Sequence, residues 1–154
     1  FRYNKALGGG ALLDCGGYPV RLALELLGDS AKVTQSSLVQ PAGYEVDLYG
    51  NAVLENADGM TAQISFGMDN AYQCQLEVWG SKTTLIAPRI FTAGADVAPP
   101  LILKTSGDEI LLHQAEDDQF LHSIIAFLSG RVAPNRILKQ AELVQKIIEN
   151  NGAW

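Results

Sequence analysis

Val46-Asp47-Leu48-Tyr49-Gly50-Asn51-Ala52-Val53-Leu54-Glu55-Asn56-Ala57-Asp58-Gly59-Met60-Thr61-Ala62-Gln63-Ile64-Ser65-Phe66-Gly67-Met68 reads as two strands joined by a turn. Met60, Ala62, Ile64, Phe66 and Met68 alternate with Thr61, Gln63, Ser65 and Gly67. Successive side chains of a strand point to opposite faces, so this period predicts one apolar face and one polar face. Asp58-Gly59 is a hairpin turn signal, which pairs Val46–Glu55 with Met60–Met68 in antiparallel fashion.

Outward from this hairpin the same pattern continues. Cys74, Leu76 and Val78 alternate with Gln73, Gln75, Glu77 and Trp79, and Lys32–Val39, Thr83–Ala87, Leu101–Lys104 and Glu109–Leu112 add shorter strands. Gly94–Pro100 is a loop by composition. Helices flank the strands. Val20, Ala23, Leu24 and Leu27 make one helical stripe, with Pro19 in its first turn and Gly28 as its stop. Ala11–Cys15 also reads as helix, which predicts a kink or break at Gly16-Gly17. Near the end, Asp117 is expected to cap a helix through Ser129, with Phe120, Ile124, Phe127 and Leu128 facing inward and Gly130 ending it. Asn135 is expected to cap a last helix with Ile137, Ala141, Val144 and Ile148 as its apolar stripe. The sum is an α+β domain, a largely antiparallel open sheet with helices packed on one face. The other face is rich in Gln, Thr and Ser and poor in charge, which suits solvent or a subunit interface. Trp79 on that face favours the interface.

The 154 residues suit a single domain with a sizeable core, and 47% hydrophobic against 18% charged residues exclude disorder. A net charge of -6, from 11 basic and 17 acidic residues, disfavours nucleic acid or an anionic membrane as partner. No apolar run approaches the roughly 20 residues of a membrane span. Cys15 and Cys74 form no CxxC pair, and His113 and His122 lack metal-ligand spacing, so no metal site and no disulfide framework are expected. Two reduced thiols suit a cytoplasmic protein. The chain begins at Phe1 rather than Met, which is read as a start within a longer protein.

The most unusual stretch is Gly8-Gly9-Gly10-Ala11-Leu12-Leu13-Asp14-Cys15-Gly16-Gly17-Tyr18-Pro19. It is not GxGxxG, no apolar strand precedes it, and the chain has no GKS or GKT, so no cofactor-binding residue is assigned. Close helix–sheet packing is the simpler role for the glycines. Asp14 and Tyr18, four residues apart, can share a helix face, where an acid and a phenol can serve proton transfer. By residue type alone, a core Tyr and an exposed or capping Asp account for the pair more simply.

Residues 8–19 resemble the signature GGGxLxDxGxH/Y that opens the C-terminal domain of the Gfo/Idh/MocA oxidoreductases. Phe1-Arg2 is similar to the aromatic–Arg pair preceding the glycines. Glu77-Val78-Trp79-Gly80-Ser81-Lys82 resembles the family's E-x-x-G-S/T-x-G strand and turn, and Leu85 and Ala87-Pro88-Arg89-Ile90-Phe91-Thr92 extend the likeness. Asp118-Gln119-Phe120 resembles the start of a late helix. The resemblance implies a glyceraldehyde-3-phosphate dehydrogenase-like C-terminal domain over residues 1–154. It also implies hydride-transfer chemistry on a sugar, nucleotide sugar or related polyol or ketone. The cofactor, NAD or NADP, would be bound by an N-terminal Rossmann domain carrying a Lys in an E-K-P motif. Neither motif occurs here, so the chain alone is expected to be inactive.

Carried over by position, Tyr18 is implied as the proton donor or acceptor and Asp14 as a substrate-hydroxyl ligand. Tyr in place of His resembles the branch of sugar ketoreductases, aldose dehydrogenases and dihydrodiol dehydrogenases. Pro19 and Ala87–Thr92 lean toward ketoreductases of nucleotide-linked deoxysugars. Arg2, Arg21 and Arg89 are substrate-binding candidates. Arg21 stands where many relatives have Asp, and its alternative is an ion pair with Glu25 on an exposed face. Arg2 is otherwise a solvated terminal residue and Arg89 otherwise caps a sheet edge. Gly17 replaces the family's usual Ile, Val or Cys. The competing functional reading is a non-catalytic dimerisation module using the polar sheet face. A homo-oligomer through that face is expected in either case.

Overall fold

The structure, a computed structural model, describes residues 1–131 and 134–151. The chain divides into two compact units. The first comprises Phe1–Asn70 together with the last helix, and the second begins at Ala71 and holds the remaining strands and helix.

In the first unit, helix α1 (Gly17–Leu27) precedes strands β1 (Lys32–Val39), β2 (Tyr49–Glu55) and β3 (Thr61–Gly67). They form an antiparallel sheet in the order β1-β2-β3. The quoted hairpin forms as its alternation requires. Ala52, Leu54, Ile64 and Phe66 are buried, whereas Asn51, Gln63 and Ser65 are exposed. Gly59 turns the chain at φ +81, and Asn56 Oδ1 accepts from Asp58 N (3.0 Å) and Met60 N (2.9 Å). Asn56 is itself buried, and its Nδ2 donates to Leu27 O at 3.0 Å, which ties the hairpin to the end of α1. The strand starts at Tyr49 rather than Val46, because the Asp47 carbonyl is taken by Ala11 N at 2.8 Å and leaves the ladder.

The inner sheet face carries α1 and α3 (Pro134–Asn150), around a core that includes Leu12, Val20, Leu24, Leu27, Leu143 and Ile147. Helix α3 differs from expectation in two ways. It begins at Pro134, whose fixed φ suits a first helical position, so Asn135 lies inside the first turn and is not the cap. Its buried positions are Leu143 and Ile147, while Ile137 and Ala141 are exposed. One turn and two turns before Leu143, Gln140 and Arg136 reach α1 with their head groups: Gln140 Nε2 donates to Gly17 O at 3.0 Å and Arg136 Nη1 to Leu24 O at 3.2 Å. Polar residues therefore occupy the facing positions of that half of the helix, and an apolar stripe cannot find them.

The segment before α1 is helical without a break. Leu12–Gly16 is a π-helical turn, and Gly16 (φ -68, ψ -23) and Gly17 (φ -58, ψ -33) are right-handed. In a regular α-helix the Pro19 ring would clash with the Cys15 carbonyl, and the wide turn just upstream absorbs it. Gly16 packs on Phe66, where a Cβ would lie 3.2 Å from Cγ.

The second unit holds β4 (Leu76–Trp79), β5 (Thr84–Ala87), β6 (Leu101–Lys104) and β7 (Glu109–Leu112) as a second antiparallel sheet, followed by α2 (Gln119–Leu128). The expected strands are all present, shared between two sheets of three and four strands. The cap of α2 is Asp118, whose Oδ1 accepts from Leu121 N at 2.9 Å; Asp117 instead lies 2.9 Å from His122 Nδ1. Phe120, Ile124, Phe127 and Leu128 are exposed rather than inward, because no residue of α2 is buried. No helix among the described residues is long and apolar enough to cross a membrane.

Candidate active site

Three glycines fold the first residues back onto the start of the helix. Gly10 N donates to Arg2 O at 2.8 Å and Gly9 N to Asn4 O at 2.9 Å, while Lys5–Leu7 makes one 3-10 turn capped by Asn4. A Cβ on Gly9 would collide with the Arg2 carbonyl oxygen. This fold-back brings the Arg2 side chain to the helix, where Arg2 Nε lies 3.2 Å from Asp14 Oδ1. Asp14 is mostly covered (side chain 18% exposed) and Arg2 is open at 60%. The pair is screened on the Arg2 side, so it orients Asp14 more than it stabilises the fold.

Gly10 also admits a residue that motif reading missed. Asp47 is buried (3% exposed), and its Oδ2 accepts from Leu12 N at 2.8 Å. Gly10 sits at φ +120, and a Cβ there would collide with Asp47 Oδ1. Ala11 N donates to Asp47 O, so one residue meets two of the first free amides of the helix. Burial pushes the Asp47 carboxyl above its usual range, and the Leu12 and Ala11 amides pull it back. A lone acid inside the apolar run Val46-Asp47-Leu48, together with a helix start that lacks its own capping side chain, was the available signal.

Tyr18 follows Gly17 at the start of α1, half-exposed. Asp14 lies in the π-helical turn four residues earlier, about 6 Å back along the axis. The two therefore stand about one turn apart on one continuous helix. Between them, Cys15 Sγ donates to Ala11 O at 3.2 Å, and burial followed by the Asp14 charge pushes its thiol up, which favours the protonated form. Arg21 Nε is held 2.7 Å from Glu25 Oε1, the i,i+4 pairing that was the alternative to substrate contact. Arg89 belongs to the second unit, where Nη2 donates to Thr92 O at 3.1 Å. There Cys74 Sγ accepts from Phe91 N at 3.2 Å, so Arg89 and Cys74 brace one loop. The structure thus pairs Arg2 with Asp14 and places Tyr18 four residues further along the same helical run. Among the described residues no group of three His, Cys, Asp or Glu side chains could hold a metal ion.

Residues 1–86 match the GFO/IDH/MocA C-terminal domain. Over 153 residues the chain is 37% identical to dTDP-3,4-didehydro-2,6-dideoxy-alpha-D-glucose 3-reductase of Actinomadura kijaniata, covering 95% of this chain and 46% of that protein. The enzyme of the same name from Streptomyces violaceoruber is 35% identical over 163 residues, covering 95% of this chain and 47% of that one. Among solved structures, KijD10, a 3-ketoreductase from Actinomadura kijaniata in complex with NADP and TDP-benzene, superposes with a TM-score of 0.92 at 35% identity, over 97% of this chain and 48% of that chain. The chain spans about half the length of the curated relatives it matches. The glycine-rich helix start, the antiparallel sheet behind it and these likenesses agree, and the chain belongs to the GFO/IDH/MocA C-terminal domain family.

Proposed function

We propose that this chain is the substrate-binding half of an NAD(P)-dependent oxidoreductase that interconverts C=O and CH–OH on a sugar, and that the sugar is nucleotide-linked. The observation that carries the reading is Tyr18 about one helical turn from an Asp14 oriented by Arg2. Tyr18 moves the proton at the reacting oxygen, and Asp14 accepts a hydrogen bond from a neighbouring hydroxyl. The sugar class rests on the dTDP-sugar 3-reductases that the chain resembles along nearly its whole length. Arg2, Arg21 and Arg89 remain candidate substrate contacts; Arg2 is the one beside Asp14.

When bound, NAD or NADP would supply or take the hydride. The doubly wound fold binds dinucleotides at the ends of parallel strands, and the antiparallel sheets here support placing the cofactor elsewhere. We assign it to a separate nucleotide-binding half, with residues 1–154 acting as one C-terminal substrate and oligomerisation domain. We assign no metal and a cytoplasmic location; the two free thiols suit a reducing compartment. The nearly uncharged outer face of the first sheet is proposed to pair two copies, which serves the enzyme and does not require a separate assembly function. In the whole enzyme, Tyr18→Phe should lower kcat by roughly two to four powers of ten, measured with a dTDP-ketosugar and NADPH. Undiminished turnover would refute the role.

A further inference from the structure

We infer that Asp47 is a positioning residue for Tyr18 and Asp14, an inference that rests on the function proposed above. Asp47 lies on the segment leading into β2, far in sequence from the helix it serves. Its side chain is almost wholly covered, yet it stands at a helix N-terminus, and among the described residues no ion pair holds it. Two bonds fix that helix start to the segment that enters β2: Leu12 N to Asp47 Oδ2, and Ala11 N to Asp47 O, both at 2.8 Å. Asp14 follows Leu12 by two residues and Tyr18 by six, all within one uninterrupted helical run. The run has no capping side chain of its own: Ala11 makes no side-chain cap bond.

The contact is bounded on its other side as well. Gly10 has no Cβ at the one place where it would meet Asp47 Oδ1. The same Gly10 donates its N–H to Arg2 O, and Arg2 pairs with Asp14. Asp47 and Arg2 therefore meet the same glycine, one fixing the axis of the helix and the other the Asp14 side chain. A carboxylate in this setting also favours the positive end of the helix dipole, which partly offsets the cost of burying it. Displacements of about 1 Å in a reacting group cost about a hundredfold in rate, so an anchor here acts on kcat without touching substrate.

The test compares Asp47→Asn, which keeps an acceptor oxygen for Leu12 N–H, with Asp47→Ala, which does not, in the intact enzyme. The Ala variant should lose about tenfold or more in kcat per folded molecule, with KM changed less than about threefold, and the Asn variant should recover most of that loss. Both variants folded with wild-type kcat would overturn the inference. So would a lowered unfolding temperature with kcat per folded molecule unchanged, which assigns Asp47 to stability alone. Hydrogen exchange on the unsubstituted enzyme needs no variant: Leu12 N–H should exchange as slowly as the interior amides of α1, and faster exchange overturns the anchor. Tyr18→Phe in parallel separates the two claims. If that variant is fully active the functional reading fails; if it is inactive while Asp47→Ala is unaffected, only the positioning role fails.

Discussion

Gln140 Nε2 donates to the Gly17 carbonyl at 3.0 Å, so the last helix of the chain fixes the backbone one residue before Tyr18. Arg136 repeats the contact one turn earlier, giving its Nη1 to Leu24 O and lying 3.2 Å from Asp29. Helix α1 is thus held at both ends by side chains of α3, in addition to the apolar core to which both helices contribute. The proposed site thus sits on a helix whose placement depends on side chains more than a hundred residues away in the chain.

Replacing Gln140 by Leu removes the bond to Gly17 and keeps much of the volume. A single neutral hydrogen bond contributes about 1 kcal/mol, so the variant should lose about that much in urea-induced unfolding. Activity should fall several-fold through kcat. A variant with unchanged kcat would show that the Gly17 carbonyl needs no partner from α3.

Gly10→Ala should be far more damaging than its one added methyl suggests. The backbone is at φ +120, and the new Cβ would run into Asp47 Oδ1. Left-handed strain alone is on the order of 1–3 kcal/mol, and displacing a buried carboxylate adds to it. Equilibrium unfolding should show a loss of at least about 2 kcal/mol. A loss under about 0.5 kcal/mol would mean that Asp47 moves aside freely.

The sheet was legible because its signal is local. Ile64 and Phe66 alternate with Gln63 and Ser65, and Asp58-Gly59 fixes the register, so pairing and buried face follow from one stretch. Asp14 and Tyr18 were legible as candidates because a contiguous motif carries them. Asp47 was not, because its partner Leu12 is 35 residues away and its neighbours Val46 and Leu48 read as ordinary strand. Helix α3 misled for a similar reason. Its facing positions include Gln140 and Arg136, whose partners are backbone carbonyls, and hydrophobic periodicity cannot register those. In α2 the stripe is real, yet Phe120, Ile124 and Phe127 are exposed, since periodicity reports a helix without naming what covers it.

The pH dependence of stability offers a separate check on Asp47. Burial places its folded pKa above that of the unfolded chain, against the pull of the Leu12 and Ala11 amides. Between those two values the folded form binds more protons, so the stability this group contributes falls as pH rises through the window and is recovered on acidification. Asp47→Asn cannot take up that proton. Relative to the variant, the wild-type protein should therefore gain unfolding free energy as pH is lowered from 7 toward 4. Parallel curves over that range would place the Asp47 carboxyl at its unfolded value.

The outer face of the first sheet sets a test for assembly. Ser37 pairs with Asn51 and Asn51 with Ser65, so one polar row crosses all three strands. Gln35, Val53 and Gln63 form the next row, and charge enters only at the end of the sheet, where Lys32 lies 2.9 Å from Glu55. A face that is polar, nearly uncharged and regular can meet its own copy without desolvating ions, as an isologous interface requires. Asn51→Lys puts one unpaired ammonium at the centre of that row in each copy. Burying it costs several kcal/mol, enough to weaken dimerisation by well over a hundredfold, while a lone exposed strand position tolerates it. Sedimentation of the intact protein should shift from dimer to monomer at micromolar concentration with the unfolding midpoint nearly unchanged. A wild-type monomer, or a variant that dimerises as tightly as wild type, would rule out this face as the interface.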